Sequence, residues 1–154
     1  ASIPNDLVMR DVGAMLGFAD TQAAARKGKI AVVGYCMSGP FAFRAASAYA
    51  DRVAAAASIY GVSLMTDKPD SPHLFAKDIK GEMYFGCAEI DKYAPKEMIG
   101  ALEKYLAKLA INYRIEWYAG AEHGFAFPQR QGMYHKPSAE RHWERLLSLF
   151  RRNL

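Results

Sequence analysis

Cys36, within Gly34-Tyr35-Cys36-Met37-Ser38-Gly39, is the first residue whose type and setting point to chemistry. An apolar run precedes it and an alanine-rich stretch follows. That context suits a sharp strand-to-helix turn that lifts one side chain above a sheet. Crowding at such a turn demands small residues two positions before and after, and Gly34 and Ser38 stand there. The sulfur would lie near a helix N-terminus, whose partial positive charge suits an anion. The backbone N–H of Met37 would point at a developing oxyanion. The six residues alone leave an inert buried thiol equally open, since cysteine is among the most buried residue types.

Two further residues join it. Asp91 follows the apolar run ending at Phe85-Gly86, and His123 follows the run ending near Tyr118. Both fall on loops after strands, the rim where α/β sheets build their sites. Taken singly, Asp91 reads as a loop or cap aspartate and His123 as a structural histidine. Together with Cys36 they stand in the order nucleophile, acid, histidine, which is the order of α/β-hydrolases. A thiol, an imidazole and a carboxylate in that relation form a nucleophilic triad.

The other candidates are weaker. His73 is expected at the surface, His135 and His142 solvent-facing or structural, and Cys87 packed at a strand end. No pair of His or Cys residues has zinc-ligand spacing, so neither metal nor cofactor is expected. Gly34–Gly39 lacks the Lys-Ser/Thr ending of a phosphate-binding loop. A cysteine phosphatase would need arginine six residues after the thiol, where Ala42 stands, and a redox sensor has no Cys-x-x-Cys partner here.

The elements that must position these residues alternate. Helical spacing of Leu7, Val8, Val12, Met15, Leu16 and Ala19 predicts a first helix capped by Asn5 or Asp6, running to about Ala25 and closed by Arg26-Lys27-Gly28. A strand over 29–35, uncharged inside its apolar run, suits a parallel sheet buried on both faces. A helix follows over about 38–50, with Pro40 in its first turn. The alanines of 53–60 favour helix, yet the alternation demands a strand. A long loop (61–78), a strand (82–86), a helix (95–110), a strand (113–118), a second loop (119–137) and a closing helix (138–152) complete the reading. The expected fold class is α/β, a three-layer α/β/α arrangement on a mainly parallel sheet. Edge strands are normally blunted with charge or proline. Something is therefore expected beside 29–35, either a companion N-terminal segment or a homo-oligomer contact.

Composition narrows the class. The 154 residues, 51% hydrophobic and 23% charged, suit one globular domain. No apolar run approaches the roughly 18 residues of a membrane span, and the start shows no signal-peptide pattern. The net charge of +4 is scattered. Its densest cluster, Arg141, Arg145, Arg151 and Arg152, is interleaved with Glu140 and Glu144, which reads as a solvated helix face and not a nucleic-acid stripe. Two cysteines make no disulfide framework, and a cytoplasmic home is expected.

Gly-Tyr-Cys-Met-Ser-Gly resembles the Gly-x-Cys-x-Gly-Gly elbow of the dienelactone hydrolase family, with serine at Ser38 where that motif has glycine. The Asp91 loop resembles that family's Asp-x-x-x-Pro segment. His123-Gly124-Phe125-Ala126-Phe127-Pro128 and the final helix are similar to its histidine loop and last helix. The resemblance spans essentially the whole chain. It implies an α/β-hydrolase domain whose triad is Cys36, Asp91 and His123, acting on a small-molecule ester or lactone such as carboxymethylenebutenolide. It also implies further N-terminal strands, one of whose loops supplies a second oxyanion donor, so residues 1–154 are expected to be a single, N-terminally incomplete domain. The non-enzymatic alternative is a hydrolase-like module that binds a ligand or partner.

Overall fold

A computed structural model describes residues 3–154; Ala1 and Ser2, part of the start read for a leader, lie outside the described residues. The elements are α1 (Asn5–Thr21), β1 (Ile30–Tyr35), a 3₁₀ turn (Cys36–Ser38), α2 (Gly39–Ala48), β2 (Val53–Ile59), a 3₁₀ helix (Pro72–Asp78), β3 (Glu82–Ile90), α3 (Lys96–Leu106), β4 (Tyr113–Glu122) and α4 (Lys136–Asn153). The strands form one sheet in the order β1-β2-β3-β4. Every pairing is parallel, as the alternating pattern requires.

Two apolar cores lie on opposite faces. On one face, Phe43 and Ala46 of α2, Ala76 of the 3₁₀ helix and Ile99, Leu102 and Leu106 of α3 pack with Met83, Phe85 and Cys87 of β3. On the other, Leu146 and Leu149 of α4 cover Ala55, Ala57, Tyr84 and Tyr118. The alanines of β2 are strand, against their helical propensity. Ala55, Ala56 and Ala57 are buried between β1 and β3. Their small side chains leave room for helices on both faces, and tertiary packing decides the element.

Several boundaries moved. α1 stops at Thr21 and not near Ala25. There Thr21 turns its hydroxyl onto the Phe18 carbonyl and Gln22 bonds to Thr21, a local alternative to helix with no core beneath it. Its N-cap is Pro4, without a side-chain cap bond, and Asn5 instead reaches the Asp70 carbonyl. β3 and β4 run beyond their expected ends to Ile90 and Glu122 because they continue to pair with each other past a bulge. The loop over 61–78 contains the 3₁₀ helix, which packs on α2 and holds His73 inside, 5% exposed.

The basic cluster of α4 is also more than a solvated face. Arg141 and Arg145 converge on Glu116 of β4, itself 6% exposed, and Arg152 pairs with Glu82. These pairs tie the last helix to β3 and β4. On the far side of the sheet β1 has no partner beyond β2 among the described residues. Val33 of β1, Met15 and Phe18 of α1, and Trp143 and Leu147 of α4 are all large apolar side chains left exposed. Among the described residues no helix is long and apolar enough to cross a membrane.

Candidate active site

The turn after β1 is built by steric necessity. A Cβ on Gly34 would sit 2.0 Å from the Ser38 carbonyl oxygen, and one on Gly39 would sit 2.5 Å from both the Gly61 Cα and the Ser58 Oγ. Neither position admits a side chain. Between them Cys36 adopts φ +53°, a left-handed conformation that costs a non-glycine residue energy and persists only where the surroundings over-determine it. Ser38 is one of those surroundings. Its hydroxyl accepts the Tyr35 N–H and donates to the Tyr35 carbonyl, both at 2.8 Å. An extended residue points both groups the same way, so Ser38 serves Tyr35 as a neighbouring strand would. Ser38 therefore does more than stay small. The Val62 N–H adds a bond to the Cys36 carbonyl at 3.2 Å.

The three residues singled out in the sequence meet at this turn. His123 follows β4 directly, and its Nε2 lies 3.1 Å from the Cys36 Sγ. Its Nδ1 lies 2.7 Å from Oδ2 of Asp91, the residue after β3. Paired parallel strands that end together deliver the loop carboxylate and the loop imidazole to one rim. The Asp91 side chain is 1% exposed and that of His123 11%, so the pair is largely withdrawn from water while the sulfur stays half-buried. Imidazole bonded to a carboxylate on one nitrogen and to a thiol on the other can move a proton from sulfur without changing place. Met37 follows Cys36 in the 3₁₀ turn, its side chain 59% exposed.

Sequence reasoning missed the aromatic surroundings. The ring of His123 packs against Tyr60 and Tyr93, with centroids 5.1 and 4.9 Å apart. Tyr60 is 1% exposed, sits at φ +38°, and its hydroxyl has no hydrogen-bond partner among the described residues. Burial raises that hydroxyl's pKa, so it stays protonated. Its position just past β2, beside Gly61, was the available signal. Tyr35, pushed up to about 12 by burial, bonds to the ring of His142 at 3.2 Å.

The remaining histidines and the second cysteine stand apart from this cluster. His73 is not at the surface: its Nδ1 meets the Ser71 hydroxyl at 2.7 Å and its ring packs on Tyr105. His142 is fully buried and structural, not solvent-facing. His135 bonds to Ser138 at the start of α4. Cys87 is buried in β3, and burial pushes its thiol up to about 12. Among the described residues, no group of three or more His, Cys, Asp or Glu is placed to hold a metal ion.

The family model described as "Dienelactone hydrolase family" matches residues 2–154. A protein of Synechocystis sp., assigned by name as a carboxymethylenebutenolidase, is 27% identical over 150 residues, covering 96% of this chain and 60% of that protein. A Bradyrhizobium protein, assigned by name as a 2-oxo-3-(5-oxofuran-2-ylidene)propanoate lactonase, is 26% identical and is likewise covered over 60% of its length. The chain thus spans about 60% of the length of these relatives. A Klebsiella pneumoniae crystal structure assigned by name as a dienelactone hydrolase superposes with a TM-score of 0.86 at 21% identity, covering 96% of this chain and 62% of that one. A dienelactone hydrolase-like promiscuous phosphotriesterase from metagenomic libraries superposes with a TM-score of 0.76 at 17% identity, covering 95% and 61%. Both structures share the fold.

Proposed function

Since the chain belongs to the dienelactone hydrolase family, we propose that it is the catalytic part of a carboxylic-ester or lactone hydrolase working through Cys36, His123 and Asp91. One observation carries the reading: a single imidazole bridges the thiol at 3.1 Å and the carboxylate at 2.7 Å. In the proposed reaction the thiol proton passes to His123 Nε2 and the sulfur attacks the carbonyl carbon. The tetrahedral oxyanion is held by the Met37 N–H; losing one such donor typically costs about 3 kcal/mol of barrier. The C–O bond then breaks and the leaving oxygen takes the proton from His123. Water, deprotonated by the same nitrogen, releases the acid and restores the thiol. Asp91 keeps the imidazole in the tautomer and orientation both halves need.

The relatives' names point to an enol-lactone of the carboxymethylenebutenolide kind as substrate. The unpartnered edge of β1 and the exposure of Val33 on that strand support a domain that is completed there. A companion N-terminal segment is the occupant we favour, with the second oxyanion donor on one of its loops. Both cysteines are free thiols, which fits a reducing cytoplasm.

The test is acylation of the intact protein by p-nitrophenyl acetate. Attack transfers one acetyl group to sulfur and expels one p-nitrophenolate. The expected result is a single acetyl mass increase that maps to Cys36 and vanishes in Cys36→Ala, with the circular dichroism spectrum unchanged. No mass increase on the unaltered protein, or the same increase in Cys36→Ala, would sink the reading in favour of a binding module.

A further inference from the structure

Resting on Cys36 and His123 as the working pair, we propose that Tyr60 is the positioning residue of the site, its ring the inner wall that fixes the imidazole against the nucleophile. It does so from a short turn, Tyr60-Gly61-Val62, that packs on both partners.

The contacts run along that turn. At one end the Val62 N–H donates to the Cys36 carbonyl at 3.2 Å. In the middle Gly61 fits against the elbow, where a Cβ would fall 2.1 Å from Ser58 Oγ and 3.2 Å from the Gly39 Cα. At the other end the Tyr60 ring lies on the ring of His123, with centroids 5.1 Å apart. The Tyr60 N–H ties the turn to the sheet by donating to the Gly86 carbonyl of β3 at 2.7 Å. The 3.1 Å between Sγ and Nε2 joins residues 87 apart in sequence, and this one turn touches both of them.

The backbone shows what the strain at Tyr60 is for. Along β2, Ala55, Ala57 and Ile59 belong to the α4-side core, while Ala56 belongs to the α2-side core. Continued alternation would send Tyr60 to the α2 side. Its φ of +38° instead turns the ring into the α4-side core with Ile59 and Phe125. Left-handed backbone is costly for a large side chain and persists only where its surroundings over-determine it. The hydroxyl has no hydrogen-bond partner among the described residues, so the ring, not the polar group, does the holding. Phe125 and Tyr35 back that ring, with centroids 5.2 and 5.8 Å away. At 1% exposure Tyr60 does not reach a substrate and acts only through His123.

The experiment compares Tyr60→Phe, Tyr60→Leu and Tyr60→Met with the unaltered protein in pre-steady-state acylation by p-nitrophenyl acetate. A displacement of about 1 Å at a reacting pair can cost about 10²-fold. The maximal acylation rate is expected to fall at least about ten-fold in Tyr60→Leu and Tyr60→Met. The half-saturating ester concentration should stay within about two-fold, because no substrate contact is lost. Tyr60→Phe keeps the ring and drops only an unpartnered hydroxyl. It should acylate within about three-fold of the unaltered rate and unfold at the same or a higher urea concentration.

Proton NMR supplies a second readout. The low-field signal of the His123 Nδ1–H shared with Asp91, assigned by its loss in His123→Gln, should persist in Tyr60→Phe and broaden or vanish in the other two. A side chain that merely filled the core would lower the urea midpoint and leave both rate and signal in place. Unchanged rate and signal in Tyr60→Leu or Tyr60→Met would overturn the role while leaving the triad standing, as would a Tyr60→Phe as slow as they are. Failure of both Tyr60→Leu and Tyr60→Met to fold would also overturn it, by making Tyr60 a core residue. No acylation of the unaltered protein would instead remove the catalytic reading, and this role with it.

Discussion

The Asp91 carboxylate divides its two oxygens between the site and its own loop. Oδ2 accepts the His123 Nδ1–H at 2.7 Å, while Oδ1 accepts the backbone N–H groups of Tyr93 and Ala94 at 2.8 and 3.0 Å. The loop thus clamps the carboxylate, and the carboxylate clamps the imidazole. Asp91→Asn replaces one oxygen with an NH₂ that cannot accept both roles, so either the loop or the tautomer is lost. The expected outcome is a drop in acylation rate of about 10²- to 10⁴-fold. The unfolding midpoint should move little. A variant within two-fold of the unaltered rate would show that His123 needs no third partner.

Ser38 offers a second test, because it stands where the family elbow carries glycine. Removing its hydroxyl leaves the Tyr35 N–H and carbonyl without their 2.8 Å partner and loosens the turn that holds Cys36 at φ +53°. Ser38→Ala should destabilise the chain by about 1–2 kcal/mol in urea unfolding, the range of one or two part-buried hydrogen bonds. It should also slow acylation. Ser38→Thr, which keeps the hydroxyl, should recover most of both. Equal stability of all three proteins would make the brace irrelevant.

The two cysteines should separate cleanly under alkylation. Cys87 is buried with its thiol raised to about 12, so it holds almost no thiolate at neutral pH. Iodoacetamide applied to the folded protein at pH 7.5 should label one site, Cys36, and a second only in denaturant. Labelling of Cys87 in the native state would contradict its enclosure between β3 and α3.

Stability should weaken in mild acid through the buried imidazoles. Burial lowers the pKa of His142 and His73 below the ordinary 6.5. Between the folded and unfolded values the unfolded chain therefore binds more protons, and stability rises with pH there. The contribution of these neutral rings is whole above about pH 6.5 and is lost as pH falls below it. The urea midpoint is expected to fall from pH 7.5 to pH 5. His142→Gln, which cannot titrate, should flatten that dependence. A midpoint independent of pH over this interval would contradict the assignment.

Much of this molecule was legible in its sequence. The alternation of elements, the elbow around Cys36, and the order of Cys36, Asp91 and His123 are local properties, written in short runs of apolar residues and the small residues between them. Glycine at position 34 is required by a contact only four residues away. Patterns of that kind are visible in one dimension because their causes lie within one or two turns of chain.

What tertiary structure alone decided has long-range causes. The alanines of β2 favour helix and become strand because β1 and β3 enclose them. β3 and β4 run on toward the site because each is the other's hydrogen-bond partner, and only that extension sets Asp91 2.7 Å from His123. The burial of His73 and His142, the convergence of Arg141 and Arg145 on Glu116, and the packing of Tyr60 against His123 join residues from different elements. A residue's type announces what it can do. The water it loses and the partner it gains on folding are set by neighbours that its own stretch of sequence does not contain.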